Sequence, residues 1–220
     1  MEELLVDNNK KNEEQSHLKN SIYEFVKRIG DIVLSLLGII ATSPIMIIVS
    51  IIIKLEDGGE IIFSQERVGK DGKLFRMYKF RSMKPNAEEI KEKLMNKNEM
   101  SGPMFKIKDD PRITKIGRFI RRTSIDELPQ LLNVLKGEMS IVGPRPSLPH
   151  EVEEFEPWML KRLEVRPGLT CFWQVCGRNS IDFENWMKLD VKYVNERNLL
   201  LDIKLILMTF KVFLGDENAS

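Results

Sequence analysis

A long uncharged segment constrains the fold of this chain more than any other feature of its sequence. From Ile32 to Ile53, about 22 consecutive residues carry no charge, which is enough helix to cross the roughly 30 Å hydrocarbon core of a bilayer. A buried helix of a soluble protein is the alternative, but a helix this long that is apolar on every side favours the membrane. The sequence therefore predicts a membrane-inserted helix.

Ser43 and Pro44 stand at the middle of this segment. Proline lacks a backbone donor and collides with the preceding turn, so it kinks a helix at a cost of about 3 kcal/mol. Each half would be about 16 Å long, enough to reach the midplane and return. Lys27 and Arg28 precede the segment and Lys54 follows it, so positive charge assigns no orientation. A kinked spanning helix and a re-entrant hairpin with both ends in the cytoplasm are both compatible with these residues.

The remaining composition limits the class of protein. A length of 220 residues allows one domain with a membrane segment, and a net charge of +1 argues against a protein built mainly to bind nucleic acid. Two cysteines are too few for a disulfide framework, so a reducing compartment is expected. Two histidines argue against a histidine-rich zinc site. Residues 1–20 are polar and lack the pattern of a signal peptide, which predicts a flexible tail with a short stretch of helix at most.

Residues Glu60 to Met83 are predicted to form a β-hairpin. Asp71-Gly72 separates two stretches rich in strand-forming residues, and this dipeptide is a strong hairpin signal. Lys79 and Arg81 are two residues apart in the second stretch and should share one face. Protection of a solvated sheet edge by charge is one explanation of these residues. A surface that faces phosphate or lipid headgroups is the other.

A dense group of charged residues lies between Gly117 and Pro146. Asp126 and Glu127 closely follow three arginines, and Arg145 stands between two prolines. A guanidinium binds phosphate oxygens through two parallel hydrogen bonds, and a carboxylate can hold a divalent cation or attack phosphorus. This combination predicts a site for phosphate chemistry. The three arginines are Arg118, Arg121 and Arg122.

A purely structural role for the two carboxylates is also open. Ser124 to Glu127 matches the capping-box pattern at a helix start, and Arg122 could pair with Asp126 four residues away. Pro129 counts against Ser124 as the cap, because its missing donor would fall just beyond the first turn. A helix that starts near Asp126 would place Pro129 where proline is tolerated.

Three further segments carry weaker predictions. Asn86 to Asn98 is highly charged and is predicted to be a solvated helix, and Asp109 to Arg112 is predicted to be a turn that opens a short helix. Leu199 to Leu214 is strongly apolar and predicts a helix that lies either in the membrane interface or in the protein core. The sequence contains no P-loop, no dinucleotide-binding fingerprint and no internal repeat.

Five long motifs occur in order between Tyr23 and Leu214. They are KRIGDIVLSLLGIIATSPIM, FRMYKFRSM, DDPRITKIGRFIRRTSIDELPQLLNVLKGEMSIVGPRP, RPGLTCFWQVCGRN and LDVKYVNERNLLLDIKLI. Together they resemble the bacterial sugar transferase family, specifically its small monotopic polyprenyl-phosphate phosphoglycosyl transferases. So many long motifs in one order are far more specific than an isolated Asp-Glu pair.

The resemblance implies an α+β fold that is mostly helical. A re-entrant membrane segment over residues 21–56 would break at Ser43-Pro44. The cytoplasmic catalytic domain would cover residues 57–215, with a small β-hairpin and interfacial amphipathic helices, and residues 216–220 would form a tail. The protein would lie in the bacterial inner membrane with its catalytic domain on the cytoplasmic face.

Members of this family transfer a sugar 1-phosphate from a UDP-sugar to a polyprenyl phosphate and release UMP. The resemblance implies that Asp126 is the nucleophile, that a covalent phosphosugar-aspartyl intermediate forms, and that the lipid phosphate then attacks it. Glu127 and Asp126 would place an essential Mg²⁺. The candidates to bind substrate phosphate are Arg121 and Arg145, followed by Arg112 and Lys79.

The implied partners are a UDP-sugar, undecaprenyl or another polyprenyl phosphate, membrane lipid and downstream glycosyltransferases, without nucleic acid. The product would commit a sugar to a surface glycan such as an exopolysaccharide, capsule or O-antigen. One form of the family has Gly, Trp, Ala and Asn where this chain has Cys171, Phe172, Trp173 and Cys176. If this segment lies near the sugar or the uridine, the difference leaves the identity of the sugar open, and not the reaction.

Two other functions stay open on the sequence. A non-catalytic membrane-anchored module could scaffold polysaccharide enzymes through its basic surface. Alternatively, Asp126 could act as a general base in a direct transfer between the two bound substrates. The retained carboxylates and arginines argue against the scaffold.

Overall fold

The computed structural model describes residues 2–87, 89–90, 107, 110–177 and 181–215. The fold is mostly helical with a small β-hairpin, as the resemblance implies, and it also contains a second small sheet that was not predicted. The helices are α1 (Glu2–Asp57), α2 (Lys115–Arg122), α3 (Gln130–Lys136), α4 (Pro149–Glu153), α5 (Phe172–Val175), α6 (Phe183–Glu196) and α7 (Leu199–Gly215). The strands are β1 (Ile62–Val68), β2 (Leu74–Phe80), β3 (Ser140–Val142) and β4 (Gly168–Thr170). Short 3₁₀ turns cover Lys70–Gly72, Ile125–Glu127 and Met159–Glu164.

Helix α1 is uninterrupted at Ser43-Pro44, where the sequence predicts a break. Proline cannot donate to the carbonyl four residues earlier, which here belongs to Ile40. The Ser43 hydroxyl donates to that carbonyl instead, at 2.9 Å. A neighbouring hydroxyl can thus satisfy a backbone group that proline leaves without its donor. The helix therefore continues through the Ser-Pro pair.

The same helix also covers residues 2–20, for which the sequence predicts a flexible tail with a short stretch of helix at most. This stretch contains no glycine or proline and is rich in Glu, Lys and Leu, which have high helix propensity. The expected tail over residues 216–220 and most of the predicted solvated helix from Asn86 to Asn98 lie outside the described residues.

Within the described chain, α1 is the one helix long and apolar enough to cross a membrane. The most apolar window of the segment Ser21–Asp57 has a mean hydropathy of 2.6, and only 11% of that window is buried by the protein. Large apolar side chains point outward on either side of Pro44, including Leu37, Ile40 and Ile48. Such a surface is stable in water only if something apolar covers it.

Both parts of α1 contact the rest of the protein. Before Pro44, Arg28 donates to the carbonyls of Val134 and Leu135 at 2.6 and 2.7 Å, near the end of α3. After Pro44, α1 joins a buried apolar cluster. Its members are Val49, Ile53, Phe80 and Ile120. The helix is therefore anchored to the following domain at two places.

The predicted hairpin is confirmed. Strands β1 and β2 pair antiparallel, with Phe63 opposite Lys79, and the connecting turn places Asp71 and Gly72 at positive φ (56° and 75°). Asp and Gly tolerate this left-handed region better than most residues. Arg81 lies beyond the end of β2 and pairs with Asp57 at the end of α1, with 2.6 Å between Arg81 Nη1 and Asp57 Oδ2.

Strands β3 and β4 form a parallel pair that depends on two glycines. Ser140 lies opposite Gly168, and the two chains approach so closely that a Cβ on Gly168 would lie 2.1 Å from the backbone nitrogen of Gly143. A Cβ on Gly143 would lie 2.3 Å from the carbonyl of Arg166. Only glycine allows this contact, and the segment Pro144–Ser147 emerges directly from it.

Helix α7 combines the two roles that its sequence left open. Leu205 is fully buried in a core cluster with Val142 and Tyr193. Leu200 and Phe210 project outward, with 78% and 61% of their surface exposed. One side of the helix therefore belongs to the core, and the other presents apolar side chains outside it.

Candidate active site

Asp126 and Glu127 sit in a tight 3₁₀ turn between α2 and α3. Ser124 adopts a left-handed conformation (φ 55°) and its side chain caps nothing, so its interpretation as a helix cap was wrong. Helix α3 begins only at Gln130, after Pro129, where a missing donor is tolerated. The sharp turn at Ser124 directs Asp126 into the protein, where only 8% of it is exposed.

Two basic side chains converge on Glu127. Lys79 Nζ lies 2.8 Å and Arg145 Nη1 lies 3.4 Å from the same oxygen, Glu127 Oε1. Burial alone would raise the pKa of Glu127, but these two positive charges outweigh it and lower that pKa. Glu127 is therefore held as a carboxylate.

Asp126 has the opposite character. Burial raises its pKa and the negative charge of Glu127 adds to that effect, while Lys79, Arg121 and Arg145 only partly oppose it. No residue in the described part of the chain donates a hydrogen bond to its carboxylate. Asp126 is thus a largely buried carboxylate that accepts no hydrogen bond from the described residues, and it lies beside the ionised carboxylate of Glu127.

The predicted phosphate-binding residues occupy different positions. Lys79 and Arg145 contact Glu127 directly, and Arg121 is exposed at the end of α2, close enough for its charge to lower the pKa of Asp126. Arg112 is buried, and its guanidinium donates to both carboxylate oxygens of Asp110, with Arg112 Nη2 2.6 Å from Asp110 Oδ2. The structure therefore brings Lys79, Arg121 and Arg145 to the carboxylates and engages Arg112 with Asp110.

Arg145 also contacts an aromatic pair. Its guanidinium carbon lies 5.8 Å from the ring centre of Trp173, and Trp173 stacks on Trp186 with 4.7 Å between ring centres. A guanidinium over an indole ring is favourable because of the negative face of the ring. Trp173 belongs to the motif RPGLTCFWQVCGRN, so this motif borders the site.

Asn133 positions Lys79, a role that no local pattern in the sequence revealed. Its side chain accepts from the backbone nitrogen of Tyr78 at 3.0 Å and donates to the backbone carbonyl of Arg76 at 2.7 Å. One buried amide thus fastens β2 to α3, the helix that follows Glu127. The pairing joins positions more than fifty residues apart, so spacing alone could not have indicated it.

The carboxylates fit a magnesium ion that is shared with a substrate. No group of three or more His, Cys, Asp or Glu that could hold a metal occurs among the described residues. Mg²⁺ does not require one, because it is commonly bound by one or two carboxylates together with water and substrate phosphates. The unengaged carboxylate of Asp126 beside Glu127 is such a donor set. The site therefore combines a free carboxylate, a paired carboxylate and three cations, which suits displacement at phosphorus.

Most of this chain is similar to known proteins. The family model described as "Bacterial sugar transferase" matches residues 22–216. A protein named galactosyl transferase CpsE from Streptococcus agalactiae is 52% identical over 189 residues, which cover 86% of this chain and 42% of that protein. An undecaprenyl-phosphate galactose phosphotransferase from Salmonella typhimurium is 44% identical over 209 residues, covering 93% of this chain and 44% of that protein.

Some relatives are of similar length to this chain. The exopolysaccharide production protein ExoY from Sinorhizobium fredii is 38% identical over 187 residues, which cover 83% of each chain. The chain nevertheless spans less than half of the length of the two relatives described above.

Proposed function

The chain belongs to the bacterial sugar transferase family, and we propose that it transfers a sugar 1-phosphate from a UDP-sugar to undecaprenyl or another polyprenyl phosphate. The products would be a polyprenyl diphosphate sugar and UMP. The single observation that carries this proposal is the carboxylate of Asp126, which accepts no hydrogen bond within the described part of the chain and lies beside Glu127, near the charges of Lys79, Arg121 and Arg145. The names of several relatives as undecaprenyl-phosphate sugar phosphotransferases support it.

In the first step, a carboxylate oxygen of Asp126 attacks the phosphorus atom that carries the sugar. A bond forms between this oxygen and phosphorus, and the bond from phosphorus to the oxygen of UMP breaks, so that UMP leaves with the electron pair. In the second step, an oxygen of the polyprenyl phosphate attacks the same phosphorus and releases Asp126. Dividing the transfer in this way allows a water-soluble donor and a lipid acceptor to use one site in turn.

The basic residues would stabilise charge on the phosphoryl oxygens. Lys79 and Arg145 are held near Asp126 by Glu127, and Arg121 approaches from the end of α2. Preorganised donors of this kind often provide the largest contribution to catalysis. A Mg²⁺ ion held by Asp126 and Glu127 would neutralise phosphate charge when bound.

Trapping the intermediate tests this function. Purified protein, radiolabelled UDP-sugar and Mg²⁺ without lipid acceptor should give covalent label on the wild type and none on Asp126→Asn. Added polyprenyl phosphate should discharge the label. UMP release that occurs only with lipid present, and without an adduct, would favour the direct transfer with Asp126 as general base. Absence of both signals over a broad panel of donors would favour the scaffold, and the same panel identifies the sugar.

We also infer that α1 is re-entrant at the inner membrane, with the catalytic domain on the cytoplasmic face. Its two parts are both anchored to the same domain, through Arg28 before Pro44 and Ile53 after it. A bend of α1 at Pro44 within the membrane, with both ends of the helix on one side of the bilayer, accounts for these two anchors and for basic residues at both ends.

Accessibility of introduced cysteines tests the membrane path. With Cys171 and Cys176 replaced by serine, Ser21→Cys and Glu60→Cys would be labelled by an impermeant maleimide in inverted vesicles and in intact spheroplasts. A re-entrant helix requires that both positions react only in the inverted vesicles. Reaction of the two positions from opposite sides would show a spanning helix.

The product would enter a surface glycan such as an exopolysaccharide, capsule or O-antigen, and downstream glycosyltransferases would extend it. The name of the ExoY relative as an exopolysaccharide production protein supports this class of product.

A further inference from the structure

The backbone that carries Arg145 is held from several directions. Every backbone carbonyl from Pro144 to Ser147 accepts a hydrogen bond from another part of the chain. The donors are, in order, the backbone nitrogen of Gly168 (2.9 Å), Nη2 of Arg162 (2.6 Å), Nη1 of Arg67 (3.1 Å) and the backbone nitrogen of Val68 (2.9 Å). Prolines on both sides of Arg145 restrict the backbone further. The donor to Arg145 itself is therefore the side chain of Arg162.

Arg162 lies behind this loop and is only 3% exposed. Its second terminal nitrogen, Nη1, donates to the hydroxyl of Ser147, so one planar guanidinium holds the chain at two positions that flank Pro146. The carbon of the guanidinium is 5.5 Å from the ring centre of Phe155 and 5.8 Å from that of Trp186. Its orientation is thus fixed by rings as well as by hydrogen bonds.

A buried carboxylate makes this arrangement possible. Asp190 on α6 is fully buried, and its Oδ2 lies 2.7 Å from Arg162 Nη2. An isolated charge in the protein interior is strongly unfavourable, so a buried guanidinium requires a counter-charge. Trp186 and Asp190 are four residues apart and share one face of α6. The same face therefore supports Trp173 under the guanidinium of Arg145 and Arg162 under its backbone.

We propose that the Arg162–Asp190 ion pair is a positioning pair that holds Arg145 in place for the phosphate of the sugar donor. The inference rests on the proposed function, since it assigns Arg145 to substrate phosphate. Neither Arg162 nor Asp190 reaches the substrate, and both act through the loop from Pro144 to Ser147. A small displacement of a charged donor at a reacting phosphate lowers the rate strongly, which gives the pair a catalytic consequence beyond stability.

A double-mutant cycle separates positioning from stability. The variants are Arg162→Lys, Arg145→Lys and the two combined, measured by UMP release in the donor half-reaction without lipid. Lys keeps the charge beside Asp190 but cannot reach both the Arg145 carbonyl and the Ser147 hydroxyl in the planar geometry of Arg. We expect Arg162→Lys to reduce kcat/KM for the UDP-sugar about tenfold in the wild-type background and less than twofold in the Arg145→Lys background.

Asp190→Asn provides a second variant that preserves shape and removes the counter-charge. Its expected pattern in the cycle is the same as that of Arg162→Lys. The matched control is Glu184→Gln, which breaks an exposed ion pair with Lys188 (2.6 Å) on the same helix and should leave kcat/KM unchanged. Thermal melting in detergent gives the folded fraction, to which all rates are normalised.

The outcomes distinguish this inference from the proposed function. An equal loss of kcat/KM in both backgrounds, or a loss that disappears after normalisation to folded protein, would overturn the positioning role alone. Unfolding of both Arg162→Lys and Asp190→Asn would assign the pair a purely structural role and would also overturn it. No UMP release from the wild type with any donor would overturn the proposed function, and the inference with it.

Discussion

The ammonium nitrogen of Lys79 lies 2.8 Å from a carboxylate oxygen of Glu127, although 48 residues separate them in the chain. Burial lowers the pKa of Lys79, and the charge of Glu127 opposes that effect. At Glu127, the charges of Lys79 and Arg145 together outweigh burial and lower the pKa. Glu127 is thus held as a carboxylate, and Asp126 lies next to this charged pair.

Lys79→Met should lower the rate of adduct formation by about 100-fold or more, because removal of one preorganised donor at a reacting centre has an effect of this size. The rate of UMP release without lipid measures it. Lys73→Met, at an exposed position in the hairpin turn, serves as the control and should retain wild-type activity. A loss of less than threefold would remove Lys79 from the catalytic site.

The rate of adduct formation should fall at acidic pH. Burial raises the pKa of Asp126 to about 6, and only its deprotonated form can attack phosphorus. The rate should therefore be constant above about pH 7 and decrease about tenfold per pH unit well below pH 6. Single-turnover UMP release between pH 5 and 8 measures this profile, with thermal melting at each pH to exclude unfolding.

The positive charge of Lys79 lowers the pKa of Asp126. In Lys79→Met, the acidic limb of the pH–rate profile for adduct formation should therefore move to higher pH. A limb near pH 4 in the wild type, where an ordinary aspartate titrates, would contradict the buried environment of Asp126.

Asn133→Ala should destabilise the protein by about 1–3 kcal/mol, since it leaves the partly buried backbone groups of Arg76 and Tyr78 without their partner. It should also reduce the rate of adduct formation, because β2 then no longer holds Lys79 against Glu127. Denaturant unfolding in detergent and UMP release measure the two effects. Leu132→Ala, at an exposed neighbouring position of α3, should change stability by less than about 0.5 kcal/mol.

Gly168→Ala should separate β3 from β4, because its Cβ would lie 2.1 Å from the backbone nitrogen of Gly143. Overpacking against backbone costs about 1–3 kcal/mol or more, and the displaced loop should carry Arg145 away from Glu127. Thermal melting and the KM for the UDP-sugar measure these changes. Gly30→Ala is the contrasting substitution, since nothing lies within 4 Å of its Cβ and alanine favours a helix interior by about 1 kcal/mol. Equal stability of the two variants would contradict the close contact of β3 and β4.

Local patterns in the sequence were sufficient for several parts of the fold. The hairpin followed from Asp71-Gly72 between strand-forming stretches, and the long apolar helix followed from the uncharged run around Ser43. The residues from Ser124 to Glu127 did not decide between two structures. They fit a capping box, but they form a left-handed turn before a buried aspartate. Proline at position 129 was the local signal that favoured the second arrangement.

The sequence by itself determined the class of secondary structure, the apolar segment and, through its long motifs, the residues Asp126 and Glu127 as candidates. These features depend on periodicity, turn residues and motif order, all of which are local. Only the tertiary structure decided that Lys79 and Arg145 meet at Glu127, that Asp126 is buried with a raised pKa, and that Arg112 pairs with Asp110. Contacts between distant positions and desolvation both arise from the packing of the whole chain, and no local spacing encodes them.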